Sequence, residues 1–304
     1  DAPHVIAPRY DRAEVATDEQ LAAVLGRMVP PAGKVNTNVL LHALRLWGPE
    51  ADFGDAVIPS GAEMRDFFLD DEAFRKLAGD DAPPLYLPGD VGPAVRAYDR
   101  DDAHRDTGSV HTDDVLATLG EIGIPADQVL HTRGGETTVG ELIRASMMRF
   151  HAVQGEYEWS AISFARYVFP TDSWTNRYGQ RVDTSDVIEE CITPHLRQGV
   201  CGGTHRLEAL VVLLNADDDV EGLSSRQRRK ITDHLARVSG LLVGSQHVDG
   251  YWAKNWAEGA AADHSQPAPL AERILATGHH LEWLALAPAE LQPPRETIVR
   301  ASQW

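Results

Sequence analysis

Cysteine, lysine and long apolar runs are what this 304-residue chain has least of. Its only two cysteines, Cys191 and Cys201, exclude a disulfide framework and leave room for at most one local bridge in an oxidising compartment. Four lysines are present, so arginine supplies nearly all the positive charge, and the net charge is −18. That balance excludes the basic footprint that nucleic acid or an anionic membrane surface requires. A strongly polyanionic substrate would need a local arginine patch to override the overall field. No run approaches the roughly eighteen apolar residues of a membrane span, so no transmembrane segment is predicted. Also missing are the glycine-rich dinucleotide fingerprint, the P-loop, the G-x-S-x-G elbow and any C-x-x-C pair. The apolar fraction of 43% and charged fraction of 24% are those of a globular protein able to bury a full core.

The sequence opens on Asp1 of DAPHVIAP. It reads as a trimmed start, which signal-peptide cleavage would leave, and this gives a secreted or periplasmic location as the expectation; trimming for expression would look the same. Helix starts are well marked. Thr17-x-x-Gln20, Ser60-x-x-Glu63 and Ser224-x-x-Gln227 are capping-box patterns, each followed by apolar residues at helical spacing. Helices are predicted near 18–29, 37–47, 61–78, 111–122, 139–152, 155–169, 185–196, 203–215, 225–246, 278–288 and 294–304. Strand-like material is confined to two hairpins, at 84–99 and 129–139. Pro- and Gly-rich loops cover 79–110, 170–183 and 247–270, and none of them reads as a linker, so residues 1–304 are predicted as a single domain.

The predicted helices alternate in character. Some are amphipathic with a charged face; others are short, apolar nearly all round and open on Gly, Ser or Thr, which places them inside. The second class aligns as a weak internal repeat. VHTDDVLATLG carries His111 and Asp114, GEYEWSAISFA carries Glu158 and Trp159, GTHRLEALVVL carries His205 and Glu208, and GHHLEWLALAP carries His279 and Glu282. TNVLLHALRLW, with Asn38 in the His slot, is a degenerate member. Outer and inner helices alternating five or six times describe an all-α fold, a single (α/α)5–6 toroid or barrel with one or two short β-hairpins in its loops.

LLVGSQHVDGYWAKNW resembles the Q-x-x-D-G-x-W repeat of terpenoid cyclases and protein prenyltransferases, with Gln246, Asp249, Gly250 and Trp252 at the matching positions. The resemblance implies an α/α toroid in which the Gln and Trp tie an outer helix to the next turn. CGGTHRLEAL, QHVDGYW and ATGHHLEWLALAP together also resemble an uncharacterised bacterial group of prenyltransferase- or squalene-cyclase-like toroids, a likeness that implies a fold and no reaction. His205, Glu208 and Ala209, with Gly278, His279, Glu282 and Trp283, are similar to short segments of the N-acylglucosamine-type sugar 2-epimerases, which use such histidines to move a proton at a sugar carbon.

The chemistry follows from His-x-x-Glu on one helix face, where the carboxylate fixes the imidazole's tautomer and orientation. A place in the first helical turn lowers an imidazole's pKa and favours the neutral base. His111, His205 and His279 gathered at one mouth would supply proton-transfer groups near neutral pH; the plainer alternative is that each His caps its helix. Cys201 and His205, four apart at a helix start, can chelate a metal from one face, with His279, His280, His111 or Asp114 as the third ligand. No cofactor is the first expectation, with a Cys191–Cys201 disulfide or an inert buried thiol as the plain reading; the resemblance to zinc-dependent toroids makes zinc the alternative, although neither the Cys-His-Gly nor the D-x-C step of those enzymes is present. The acidic runs ADDD (216–219) and DTSD (183–186) read as polar loops and not as the D-x-D-D motif of protonating cyclases. Aromatic content of 7% is modest for a cavity that must cradle a carbocation.

The expectation is therefore an enzyme with acid/base chemistry at the barrel mouth, an epimerase, lyase or hydrolase acting on a small-molecule or oligosaccharide substrate. His205 and His279 serve as acids or bases, Glu208 and Glu282 orient them, and Tyr157 joins the catalytic set. His111, Asp114, Glu158, Arg206, Trp159, Trp252, Trp256 and Trp283 contact substrate. The alternatives are a cyclase- or prenyltransferase-like enzyme, zinc-dependent through Cys201, His205 and His279, and a non-catalytic secreted binding protein using the toroid as a rigid disc.

Overall fold

The computed structural model describes residues 2–10, 15–33, 36–151, 153–171, 173–193 and 195–304. These are mostly helical, and their strands pair only as two-stranded antiparallel ribbons. The chain packs as two compact units, one of Asp1–Val5, Val24–Val168 and Ser173–Val182, the other of Ile6–Ala23, Phe169–Asp172 and Asp183–Trp304. Helix α1 (Asp18–Leu25) buries no residue. The predicted ends of the 139–152 and 185–196 helices reach Ala152 and Pro194, which lie outside the described residues.

The first unit is built on α2 (Thr37–Trp47), α3 (Gly61–Leu69) and α4 (Asp71–Ala78). The sequence predicts one helix over 61–78, and the structure breaks it at Asp70. That residue is extended, with φ −142° and ψ 125°, and its carboxylate accepts the backbone N–H groups of Glu72 and Ala73. A short acidic side chain that satisfies N–H groups this way starts a new helix and ends the old one. Strands β1 (Tyr86–Leu87) and β2 (Ala94–Val95) form the hairpin expected within 84–99. Helix α5 (Asp114–Glu121) then precedes β3 (Val129–Thr132) and β4 (Gly135–Thr138), the second expected hairpin. Helices α6 (Val139–Arg149) and α7 (Glu158–Tyr167) follow, and a third ribbon, β5 (Trp174–Thr175) with β6 (Arg181–Val182), falls inside the predicted 170–183 loop.

The core of this unit packs Leu40, Leu44, Met64, Phe67, Phe68 and Phe74 against Leu116, Leu119, Leu130 and Leu142. Helix α5 is buried from Asp114 to Gly120 and α7 from Glu158 to Arg166, as expected of helices apolar nearly all round. They approach closely because of Gly120, where an added Cβ would stand 2.8 Å from the Tyr167 ring.

The second unit holds α8 (Thr184–Cys191), α9 (Thr204–Val220), α10 (Ser225–Ser245), α11 (Leu270–Leu286) and α12 (Arg295–Gln303). Every residue of α9 from Thr204 to Asp217 is buried, whereas α10 is amphipathic and opens on the Ser224–Gln227 capping box read in the sequence. The Thr17–Gln20 and Ser60–Glu63 pairs also form reciprocal caps. Gln246 donates from Nε2 to the carbonyls of Gly250 and Thr297, each at 2.8 Å, and Trp252 donates from Nε1 to the Leu242 carbonyl at 2.9 Å. These bonds tie the end of α10 to the following turn and to α12. Between them Gly250 has φ 108°, and an added Cβ would lie 2.3 Å from the Arg300 carbonyl oxygen.

Gly250→Ala therefore introduces both a disfavoured backbone conformation and a collision with main chain. Urea unfolding of the variant is expected to show a loss above about 1 kcal/mol. A change within about 0.5 kcal/mol, ordinary for a surface substitution, would contradict the described turn.

Candidate functional site

The site starts in the loop between α8 and α9. Gly199, Cys201, Gly202 and Gly203 all have positive φ, at 108°, 50°, 69° and 85°. Three of these are glycines, which enter the left-handed region at little cost; Cys201 enters it as an L-residue. At Gly203 no side chain fits, because a Cβ would sit 1.9 Å from the Leu196 carbonyl oxygen. The Thr204 hydroxyl donates to the Cys201 carbonyl at 3.0 Å and closes the turn. The loop thus delivers the Cys201 thiol directly ahead of the first turn of α9, where the helix dipole favours an anion.

His205 lies in that first turn, as the sequence predicts. His279 does not: the expected helix 278–288 begins instead at Leu270, after Pro269, so His279 stands in the middle of α11. Gly278, read in the sequence as a helix opener, is an interior helical glycine with open space around its missing Cβ. The two His-x-x-Glu steps are therefore not equivalent along their helices, and no first-turn dipole acts on His279.

They nevertheless converge. The His205 and His279 rings pack edge to face with centroids 4.7 Å apart. His205 donates from Nδ1 to Glu208 Oε2 at 2.6 Å, and His279 from Nδ1 to Glu282 Oε2 at 2.8 Å. With Nδ1 engaged, Nε2 is the nitrogen each ring has to offer. Ligand atoms of Cys201, His205 and His279 all lie within 4.8 Å of one another, as do those of His205, Glu208 and Glu282. His205 and Glu208 are buried, while the Glu282 side chain keeps 32% exposure, so access is from the α11 side.

The charges follow from this packing. Burial alone would raise the Cys201 thiol, but hydrogen bonds and charge from His205 and His279 outweigh it and bring the thiol down to about 6. Burial alone would depress both imidazoles. Hydrogen bonds to Cys201 and Glu208, with the charges of Glu208 and Glu282, lift His205 to about 10. Cys201 and Glu282 lift His279 to about 9. Both imidazoles are thus held above their ordinary value and not below it as the sequence suggests, because a thiolate and two carboxylates stand at close range to them.

The other predicted residues fall elsewhere. Trp252, Trp256 and Trp283 are buried around His280, with ring centroids 5.6, 4.6 and 6.4 Å from its own. His280 accepts a hydrogen bond at Nδ1 from Trp283 Nε1, and burial with the neighbouring His279 charge depresses it to about 3. Arg206 is buried on α9 and its charge acts on Glu190. Tyr157, Glu158, Trp159, His111 and Asp114 belong to the first unit. Glu158 and Trp159 are buried at the start of α7, and the Arg45 guanidinium stacks 4.9 Å from the Trp159 ring centroid. The Glu158 carboxylate accepts the Tyr157 backbone N–H at 3.0 Å. His111 precedes α5 instead of opening it, and its Nδ1 pairs with Glu156 at 3.1 Å. Asp114 is buried and rises to about 6, despite hydrogen bonds from Ser109 and the backbone of Val115 and His111. Two polar residues the sequence reading passed over work here. Glu156 receives His111 and the Thr112 N–H, and left-handed Asp113 accepts hydroxyls from Ser146 and Ser160. Glu156 stands two residues before Glu158 and Asp113 beside Asp114, so proximity to a residue already chosen was the available signal.

Cys191 and Cys201 are not joined by a disulfide. No protein-family model, curated protein or solved structure matches this chain.

Alkylation of metal-free protein by iodoacetamide reads the thiol directly. Cys201 is expected to react with a rate that rises through a midpoint near pH 6, and buried Cys191 to react far more slowly. A Cys201 midpoint at the ordinary thiol value of about 8.5 would contradict the described cluster.

Proposed function

We propose that this chain is an enzyme whose chemistry resides at Cys201, His205 and His279, which together hold a zinc-class ion. The observation that carries the reading is the doubled carboxylate–imidazole arrangement: one sulfur and two nitrogens converge within 4.8 Å, and each imidazole gives its Nδ1 proton to a glutamate. Metal-ligating histidines almost always donate their second N–H in this way. A thiolate with two imidazoles suits zinc, cobalt or iron and not the hard cations that take oxygen ligands. Three protein ligands leave a position for water or substrate, the pattern of catalytic and not structural zinc sites. Three anionic groups, Cys201, Glu208 and Glu282, face two imidazoles there, so the cluster attracts a cation.

An ion held in this set supplies Lewis-acid chemistry at neutral pH. The chain's own part is positional. Glu208, buried on α9, fixes the His205 tautomer and ring plane; Glu282 does the same for His279 from the accessible side. The glycine turn at 202–203 sets the thiol ahead of α9.

A second reading takes the same residues as acid/base groups acting on a carbohydrate-like small molecule, as an epimerase, lyase or hydrolase. The raised His205 and His279 values favour it in one form only, with both imidazoles as proton donors at neutral pH. Arg206, on the same helix as His205, would then be a substrate contact. The α/α toroid belongs to this proposal as well. It is supported by the burial of α5, α7 and α9 along their lengths and by the Gln246 and Trp252 ties. No helix among the described residues is long and apolar enough to cross a membrane.

Titration of metal-free protein with Co²⁺ separates the two readings. The metal reading expects one equivalent per chain and a thiolate-to-cobalt charge-transfer band that Cys201→Ser abolishes. Glu208→Gln and Glu282→Gln should each weaken binding about 10- to 100-fold. Absence of both the band and stoichiometric uptake would overturn it and leave the proton-transfer reading.

A further inference from the structure

The buried residues of α11 are Ala276, Thr277, His280, Trp283 and Leu284, one stripe at helical spacing. The other side of a surface helix is ordinarily charged, as on α10, where Arg226, Arg229, Asp233 and Arg237 are exposed. On α11 it is apolar. Leu270, Ile274 and Leu275 keep 57%, 56% and 47% exposure, and Gly278 is exposed beside them. One exposed leucine means nothing, but a continuous apolar strip marks a surface that something covers.

The strip runs into the centre. Ile274, Leu275, Gly278, His279 and Glu282 stand three and four apart, so they share a face. Helical side chains lean toward the N-terminus, and His279 and Glu282 therefore reach back over the turn that carries Leu275 and Gly278. The fold gives Gly278 no reason to be glycine: its φ is not positive, and an added Cβ would meet nothing within 4 Å. In an exposed helix interior glycine is destabilising relative to alanine. Gly240 of α10 is equally open, so the glycine alone decides nothing. Gly278 differs in its neighbours, a residue of the centre on one side and two exposed aliphatic side chains on the other. There the missing side chain lets a ligand lie against the helix backbone.

The geometry points to a ligand class: Gly278 is a notch, walled by Ile274 and Leu275, for the aliphatic body of a small molecule whose oxygen- or sulfur-bearing head reaches the open position of the centre. This rests on the reading of Cys201, His205 and His279 as a metal centre. An aliphatic body gains by covering Ile274 and Leu275, whereas carbohydrate hydroxyls find no donor or acceptor in those side chains. A second copy of the chain seated on the strip would close the accessible side of the centre, where Glu282 keeps 32% exposure. From His279 to Ile274 is about 7.5 Å along the axis at 1.5 Å per residue, roughly the length of a hexyl chain.

The test uses Co²⁺-loaded protein and two hydroxamates, acetohydroxamate and hexanohydroxamate, whose oxygens meet the metal alike; the visible absorption of cobalt reads binding. Half-burial of the additional methylenes is expected to make the longer probe bind about tenfold tighter. Ile274→Asp charges the wall and Gly278→Leu fills the notch, and in each variant the two probes are expected to bind with similar affinity. Both positions are exposed, and leucine is a better helix former than glycine, so both variants are expected to fold. Similar affinities in the parent protein overturn the proposal, and so does a parent-like preference in either variant. A parent dimer that Ile274→Asp dissociates also overturns it, because the strip then belongs to a second copy. If the parent protein takes up no Co²⁺, the metal reading fails by itself. The notch is then decided by alkylation of Cys201 with iodoacetamide and N-hexyl iodoacetamide, each rate divided by the rate with glutathione. A several-fold preference for the hexyl reagent, lost in Ile274→Asp, is expected; no preference would overturn the notch.

Discussion

A half-buried thiol held between two imidazoles is the constraint on which the rest of this site depends. Each of its features is costly in isolation. A left-handed cysteine is strained, a buried ion pair pays desolvation, and an imidazole with a raised pKa needs an anion beside it. They are stable only together. Cys201 lowers its own pKa through His205 and His279, which rise because of Cys201, Glu208 and Glu282. Removing one partner leaves the others with uncompensated charge, so the five side chains act as a unit.

The surrounding architecture serves that unit. Helix α9 is buried on all sides over most of its length and cannot rotate to relieve strain, so His205 and Glu208 are fixed by packing. Helix α11 has a buried stripe and an exposed one, and the Thr277 hydroxyl ties the buried stripe to the Trp252 backbone. One side of the centre is therefore rigid by burial and the other is steadied by hydrogen bonds. This matches the exposure of the two carboxylates, with Glu208 enclosed and Glu282 open to solvent.

Much of this was legible in the sequence where a local signal governs. The three capping boxes, the two hairpins and the His-x-x-Glu spacing each depend on residues within a few positions, and each forms as read. The Cys201, His205 and His279 grouping was also readable as a candidate ligand set. What was not legible depends on distant partners or on competing local choices. Gly278 resembles a helix start, yet packing of Ala276 and Thr277 carries α11 through it from Leu270. Asp70 splits one predicted helix by taking two backbone N–H groups for itself. The protonation of the imidazoles was misread because a helix dipole was weighed without the thiolate and carboxylates that tertiary contact brings beside them. The tryptophans were read as substrate contacts, and the structure buries Trp252, Trp256 and Trp283 around His280.

The most direct measurement of the central claim is X-ray absorption at the zinc edge on zinc-loaded protein. The account predicts a four-coordinate shell with one sulfur at about 2.3 Å and nitrogen at about 2.0 Å, including imidazole outer-shell scattering. A shell of oxygen and nitrogen alone, with the Cys201 sulfur absent, would contradict it.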